Sequence, residues 1–599
     1  MLVQAALWVS PVFSKDDAPI PYTLRFDAED AVLAEFEAPL REVSLSVSLS
    51  DNPPRTRPAL NRRLEQDVER FVRLLRSRGY YQADVSYRLE RAGADGSDVV
   101  AVFRIEPGTL FLIEEVLIAA DGEAPDDASD SLLTELGLDL GAPATAQSVL
   151  VGQTSLERHY RRNGHPIAKV TDRTTTIVPE RHTMRVTYRV QRGPKAIFGA
   201  ALFNGLEQVE TAYVEQQITW QPGQDYDVSL VEDFQRKLVQ TGLFESAVVA
   251  PVTDGFSETS SDDSPVSTDI RVTVQERPHR SLGFGASYST SIGPTARAFW
   301  EHRNLFGQAE RFRSALILSP IERGVDVTFR KPYFLQDDQA FLTQGDFKEV
   351  TSDAFDERRA EAFVGVERRL SETWSATIGP TLDLISQESD TVSESEVVLL
   401  GVRGNLKRDS TDNLLNPTRG GRLDLALSPY QDVMSSADPF VSAAVVGSRY
   451  LQIDGDGDFV LAGRAKIGAI LGTELADVPA SKRFYAGGGG SVRGYGFQRL
   501  GPLDGSLDPI GGRSILEFGA ELRFKVTEEF GIVPFVEAGN VYLEDVPPLA
   551  EFDLRWGAGI GVRYFTEFGP IRFDVAVPID QRENIDDPFQ LYVSLGQAF

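Results

Sequence analysis

The chain has 599 residues, of which 25% are charged and 42% hydrophobic, and its 89 acidic against 60 basic residues leave a net charge of -29. This composition excludes intrinsic disorder and collagen-like repeats, the charge argues against a phosphate-binding surface and so against nucleic acid as a partner, and the length asks for several domains. No stretch approaches the roughly 18 uninterrupted apolar residues of a membrane-spanning helix, and the lack of cysteine removes disulfide frameworks, thiolate metal sites and cysteine nucleophiles.

The first element in the chain is an apolar start, Leu2, Val3, Ala5, Ala6, Leu7, Trp8 and Val9, with no leading Lys or Arg and no clean small-residue cleavage site. Residues 1–19 read as a signal-peptide remnant or an N-terminal tail. An internal repeat follows. RLLRSRGYYQADV (73–85), ERHYRRNGHPIAKV (157–170) and RKLVQTGLFESAVV (236–249) each join a basic helix end to a glycine, then an aromatic or His, then a strand. Gly79, Gly164 and Gly242 stand where a helix needs a left-handed cap. Before the first of them, Leu64, Val68, Phe71, Val72 and Leu75 share one helix face. Each repeat is thus an α+β module of about 80 residues, at 20–107, 108–193 and 194–277.

From about residue 280 the periodicity changes to two. In 514–526, Leu516, Phe518, Ala520, Leu522, Phe524 and Val526 face one way, and Glu517, Glu521, Arg523 and Lys525 the other. The stretches 552–564, 571–579 and 591–599 alternate likewise, with Asp553, Arg555, Arg563, Arg572 and Asp574 on the charged face. Apolar residues outside and charge inside define the wall of a transmembrane barrel, and closure is forced because an open sheet edge in hydrocarbon leaves costly unpaired backbone groups. Strand starts near 281, 294, 310, 324, 340, 358, 373, 396, 420, 441, 458, 513, 531, 553, 569 and 590 make sixteen antiparallel strands over 278–599, each of roughly 9–11 residues. The expected fold is three tandem α+β modules followed by a 16-stranded antiparallel transmembrane β-barrel.

One connection, 471–512, is far longer than the rest, and long loops in folded domains are usually functional. It contains RFYAGGGGSVRGYGFQRLGP (483–502), in which Arg493 is flanked by Gly494 and preceded by Gly487 to Gly490. A guanidinium on so flexible a backbone wants a carboxylate in bidentate geometry. Val492-Arg493-Gly494-Tyr495 resembles the V-R-G-Y signature of the BamA/TamA superfamily of outer-membrane barrel proteins. WEHRNLFGQAER (300–311), RDSTDNLLNPTRGGRL (408–423), GGRSILEFGAELRF (511–524), FVEAGNVY (535–542) and GAGIGVRYFTEFGPIRFDVAVPI (557–579) agree in the same order. On this resemblance the modules are polypeptide-transport-associated (POTRA) domains, and their number, three, is similar to the TamA branch rather than to BamA with its usual five.

The resemblance implies an outer-membrane location with the modules in the periplasm, unfolded outer-membrane protein clients, contact with outer-membrane lipid and a TamB-like periplasm-spanning partner. It places two acidic partners of Arg493 on the inner wall, at Glu521 and Glu537, so that the loop is pinned in the lumen. It also implies that client strands enter through the seam between first and last strands. There Gly283, Gly285 and Gly596 weaken the strands, and Phe599 resembles the C-terminal signal of outer-membrane barrels. The expected function is the insertion or translocation of β-barrel and autotransporter proteins. The alternatives are a secretion pore for a soluble partner and a general BamA-type insertase; a passive porin or adhesin leaves the V-R-G-Y loop unexplained.

No enzyme, cofactor or metal is expected. The run Asp454-Gly455-Asp456-Gly457-Asp458 has Phe459 and Ala465 where a calcium loop needs Gly and Glu. The Gly489 to Arg493 stretch lacks the closing glycine of a nucleophile elbow. The five histidines lack zinc-site spacing.

Overall fold

A computed structural model describes residues 19–92, 98–254, 256, 265–389, 392–548, 553–567, 569–595 and 597. The chain divides into two units. One comprises residues 1–204, 217–237 and 247–273; the other comprises 205–216, 238–246 and 274–599.

The N-terminal half carries three small sheets with one recurring logic. In the first, Tyr22–Asp27, Asp98–Glu106 and Asp84–Ala92 lie side by side in that order, the outer pair parallel to and antiparallel to the middle strand respectively. Helix Arg57–Ser77 covers the sheet with Leu60, Leu64, Phe71 and Leu75. Thr56 caps that helix and Pro58 sits in its first turn, where a missing N–H costs nothing. Phe71 meets Phe103 edge-to-face at 4.9 Å. Asp67, buried on the same helix, accepts from the Ser44 hydroxyl and from the N–H groups of Leu45 and Ser46, and so caps the short helix Leu45–Ser48.

The second sheet orders Asp126–Asp127, Leu112–Ala120, Thr183–Gln191 and Lys169–Val178 beneath helix Ala146–Arg162. The third orders Ala196–Asn204, Val266–Glu276 and Phe244–Pro251. Gly79, Gly164 and Gly242 follow helices Arg57–Ser77, Ala146–Arg162 and Val228–Gln240 at φ of +100°, +94° and +71°, the conformation that a β-carbon resists.

The other unit is a closed barrel of sixteen strands, all antiparallel to their neighbours. They are Arg280–Ser289, Gly293–His302, Arg311–Leu318, Glu322–Lys331, Gln339–Thr351, Asp356–Arg369, Trp374–Ser389, Val392–Asp409, Gly420–Asp432, Phe440–Gln452, Phe459–Leu471, Ser514–Lys525, Phe530–Tyr542, Arg555–Thr566, Gly569–Pro578 and Gln590–Leu595. The sixteen expected starts match this series, with the largest offset at the eighth strand, expected from 396 and found from Val392. The expected strand length was too short for the middle of the barrel. Trp374–Ser389 has 16 residues and Val392–Asp409 has 18, because polar pairs such as Ser386 with Glu396 and Gln387 with Ser395 continue the ladder beyond an apolar band.

The wall is inside out relative to a soluble domain. Phe518, Ile560, Phe573, Val575 and Val577 are exposed, whereas Glu521, Arg563 and Asp574 are buried. Hydrocarbon, not water, is the solvent that suits such an exterior. No described helix is long and apolar enough to cross a membrane. At the turn 454–458, the Asp454 carboxylate accepts from the N–H groups of Gly457, Asp458 and Phe459 and holds the hairpin closed.

Candidate functional site

The long connection, 472–513, joins strands Phe459–Leu471 and Ser514–Lys525 and folds into the barrel. Isolated backbone bridges pair Phe484 with Gly512 and Ala486 with Leu500, so the segment is a built structure rather than a slack tether. Val492 and Tyr495 are fully buried with Ala486, Leu500, Ile515 and Val541 in one apolar cluster. The Tyr495 hydroxyl donates to the Trp556 carbonyl at 2.9 Å. Apolar residues inside an otherwise charged lumen give the loop a seat of its own.

Arg493, between them, is also wholly buried. Its backbone N–H donates to Glu537 Oε2 at 2.7 Å, Nε to Glu537 Oε1 at 3.0 Å, and Nη2 to Glu537 Oε1 at 2.6 Å and Glu521 Oε1 at 2.8 Å. Nη1 donates to Asp574 Oδ2 at 2.8 Å. The guanidinium carbon stands 3.4 Å from the centroid of the Phe535 ring. Three carboxylates from strands Ser514–Lys525, Phe530–Tyr542 and Gly569–Pro578 thus converge on one planar cation, whose five donors match that fork. Arg563, Arg523 and Arg572 surround them: Arg563 Nη1 donates to Asp574 Oδ1 at 2.5 Å, Arg523 donates to Glu521 Oε2 at 3.0 Å, and Arg572 Nε lies 3.8 Å from Asp574 Oδ2.

Two glycines make the approach possible. Gly494 has φ +100°, and a β-carbon there would stand 2.7 Å from the Val577 carbonyl oxygen. Gly557, on strand Arg555–Thr566, lies so close beneath the loop that a β-carbon would meet the Arg493 carbonyl oxygen at 2.1 Å. Three successive inward positions of that strand are Gly557, Gly559 and Gly561, between the outward Trp556, Ala558, Ile560 and Val562. This stretch without inward side chains is a slot, entered by the loop backbone at Gly557, by the Phe535 ring at Gly559 and by Asp574 and Arg563 at Gly561.

Sequence reasoning names Arg493, Glu521 and Glu537, which the fold brings together, and overlooks Asp574. The available signal was the alternation that already places Asp574 on the charged face, one strand from Arg563. A second anchor also went unseen. Lys482 Nζ donates to Asp383 Oδ1 at 2.5 Å and lies 3.6 Å from Glu361, and Ala480 N donates to Gln387 Oε1 at 2.9 Å. The loop is therefore held by strands Asp356–Arg369 and Trp374–Ser389 as well as by the Arg493 cluster.

The seam has a different character. Along its inner neighbour, strand Arg280–Ser289 is paired at every residue, from Arg280 with His302 to Ser289 with Gly293, and Gly283 and Gly285 keep their places opposite Phe299 and Arg297. Along the seam itself, among the described residues, the ladder consists of Tyr288 with Val593 and Ser289 with Tyr592. Thr290 extends it by one turn: its N–H donates to the Leu591 carbonyl and its hydroxyl accepts from Leu591 N–H, both at 3.1 Å. The Phe299 ring fills the space beside Gly283, while nothing lies within 4 Å of a β-carbon at Gly285. Gly596 and Phe599 lie outside the described residues.

A closed sixteen-strand barrel with an apolar exterior, a charged interior and a loop seated in the lumen defines a membrane β-barrel protein. Within that class, residues 304–599 match the Omp85 superfamily domain. The outer membrane protein assembly factor BamA of Nitratidesulfovibrio vulgaris is 24% identical over 552 residues, which cover 90% of this chain and 68% of that protein. BamA of Neisseria meningitidis serogroup B is 21% identical, covering 89% of this chain and 72% of that protein. Among solved structures, BamA from Haemophilus ducreyi lacking POTRA domains 1–3 superposes with a TM-score of 0.67 at 18% identity, over 81% of this chain and all of that one, and shows the same fold.

Proposed function

We propose that the chain is an outer-membrane assembly factor that helps insert or translocate β-barrel and autotransporter proteins, handing client strands sideways through the barrel seam. The observation that carries this reading is the seam, where the first strand is fully paired on one side and, among the described residues, paired near its end on the other. A strand edge with free N–H and C=O groups is a template for an incoming strand. In hydrocarbon the gain from pairing it is large, because nothing else there can satisfy those groups. No nucleotide, metal or catalytic group enters this scheme, since the client's own backbone pairing and apolar burial drive it.

The relatives' role as assembly factors supports the general reading. The finer proposal is the TamA branch and, with it, a TamB-like periplasm-spanning partner. A general BamA-type insertase is the second reading, favoured by the match to BamA over nine-tenths of the chain.

The test uses the absence of cysteine. Tyr288 and Val593 face each other across the seam, and facing antiparallel residues are about 4.5–5.5 Å apart at Cα, within reach of a disulfide. The oxidised Tyr288→Cys/Val593→Cys double variant should fail to assemble client barrels in proteoliposomes, and reductant should restore it; full activity with the bond closed would sink the lateral mechanism. A deletion strain separates the finer readings. Loss of particular barrels or autotransporters favours the TamA branch, general loss of outer-membrane barrels the BamA-type insertase, and loss of one soluble exoprotein a secretion pore.

A further inference from the structure

The turn at 410–419, between strands Val392–Asp409 and Gly420–Asp432, is shaped by its own side chains. Asp412 accepts from Thr418 N at 2.9 Å, from Thr418 Oγ1 at 2.5 Å and from Arg419 N at 3.1 Å. Asn413 Oδ1 accepts from the N–H groups of Leu415 and Asn416, both at 2.9 Å. Such side-chain bonds to local backbone hold a turn in one conformation. The rigid turn then reaches other strands of the same barrel: the Pro417 carbonyl accepts from Arg523 Nη1 at 3.4 Å, and Leu415 packs beside Gly569.

The telling contact is at Asn416, whose Oδ1 accepts from Gln597 Nε2 at 2.8 Å across 181 residues of sequence. Gln597 lies two residues beyond the last strand. Continued from Tyr288 with Val593 and Ser289 with Tyr592, the seam register would set Gln597 opposite Phe284. Instead its Oε1 accepts from Nε of the buried Arg563 at 2.9 Å. Arg563 also binds Asp574, and Asp574 binds Arg493. One unbroken series of hydrogen bonds therefore joins Arg493, Asp574, Arg563, Gln597 and Asn416.

We infer that Asn416 and Gln597 are positioning residues that draw the end of the last strand off the seam, and that Arg563 ties this latch to the seated loop. The latch decides where the seam ladder stops: the strand end is gripped by the inner wall and the 410–419 turn instead of zipping along the first strand. Unseating the loop removes one support of Arg563 and so loosens the strand end as well. This goes beyond client handling and stands whether or not the chain acts on clients.

Hydrogen exchange on the full-length protein in lipid nanodiscs tests it. Asn416→Leu should raise amide exchange in the peptide covering 590–597 by about fivefold, the weight of one net hydrogen bond, and leave 484–500 protected. Asn416→Asp keeps an oxygen acceptor and should restore wild-type protection. Gln597→Ala removes this contact and the one to Arg563, so it should raise exchange at least as far as Asn416→Leu, and adding Asn416→Leu to it should change nothing further. Asp574→Asn should loosen both peptides. Unchanged exchange at 590–597 in Asn416→Leu and Gln597→Ala would overturn the latch. Exchange in Asn416→Asp as fast as in Asn416→Leu would also overturn it, by showing that only the shape of the turn was lost.

Discussion

Two stretches of the same barrel wall are built from the same alternating strands and behave oppositely. Strands Ser514–Lys525, Phe530–Tyr542, Arg555–Thr566 and Gly569–Pro578 keep long ladders and, on their inner faces, enclose Arg493 among three carboxylates and a phenyl ring. The seam between the last strand and the first, one strand further on, holds among the described residues by two facing pairs and the bonds of Thr290. The difference lies in what each inner face meets. Where the loop supplies donors, inward carboxylates are paired and the wall is cross-linked from within. Beside the first strand the inward positions are Ser281, Gly283, Gly285 and Ser287, which offer no side chain able to reach a partner across the lumen. One sector is thus held rigid from within, and the proposed opening belongs to the other.

Arg493→Ala should break this contrast most severely. It strips one cation from Glu521, Glu537 and Asp574, and removing one partner of a buried ion pair costs about 3–5 kcal/mol. The folded, unheated form should melt at a clearly lower temperature on semi-native gels. Arg493→Lys should recover little of the loss, because a point charge cannot serve three carboxylates through a planar fork. Gly557→Val should come next, at about 1–3 kcal/mol for overpacking, with the loop expelled from its slot. Protease cleavage within 484–500 of otherwise folded barrels would report it, and continued resistance would contradict the close approach seen at Gly557.

Lys482→Met tests the second anchor. It leaves the buried Asp383 without its closest cation, at a cost of about 1–3 kcal/mol, and should loosen the loop near 475–485 while the Arg493 cluster stays intact. Exchange that rises equally around Arg493 would mean the two anchors are one unit.

Acid should act last and outside the wall. Burial opposes charge on Glu276, yet N–H donors from Glu207, Val209 and Gln208, together with His279, hold its carboxyl below the ordinary carboxylate range. Its contribution is complete above that range and fades only as pH falls through its depressed pKa. His165 in the second module runs earlier. Burial pushes its imidazole below the ordinary value of 6.5, against the Gly193 carbonyl, which favours the proton. The unfolded module then binds the proton more readily than the folded one, so stability drains away as pH falls from about 6.5. Protection across 157–193, corrected for the intrinsic pH dependence of exchange, should therefore fall as pH drops below about 6.5 while the barrel ladders remain protected, and His165→Gln should abolish that dependence.

The repeating parts were legible along the chain. Alternation with a period of two made all sixteen strands legible, because each inward or outward choice is forced locally by hydrocarbon on one side and a polar lumen on the other. The helix faces and their capping glycines were legible for the same reason. Arg493 stood out through the glycines around it, and Glu521 and Glu537 through a resemblance in collinear motifs. Asp574, Lys482 with Asp383, the bare slot at Gly557 and the contact from Asn416 to Gln597 were decided only by the tertiary structure. Their partners lie from 64 to 181 residues apart, and no local pattern says which inward residues will share one point of the lumen. That is settled when the sheet closes, because closure fixes which strands face each other across the interior and which two meet at the seam.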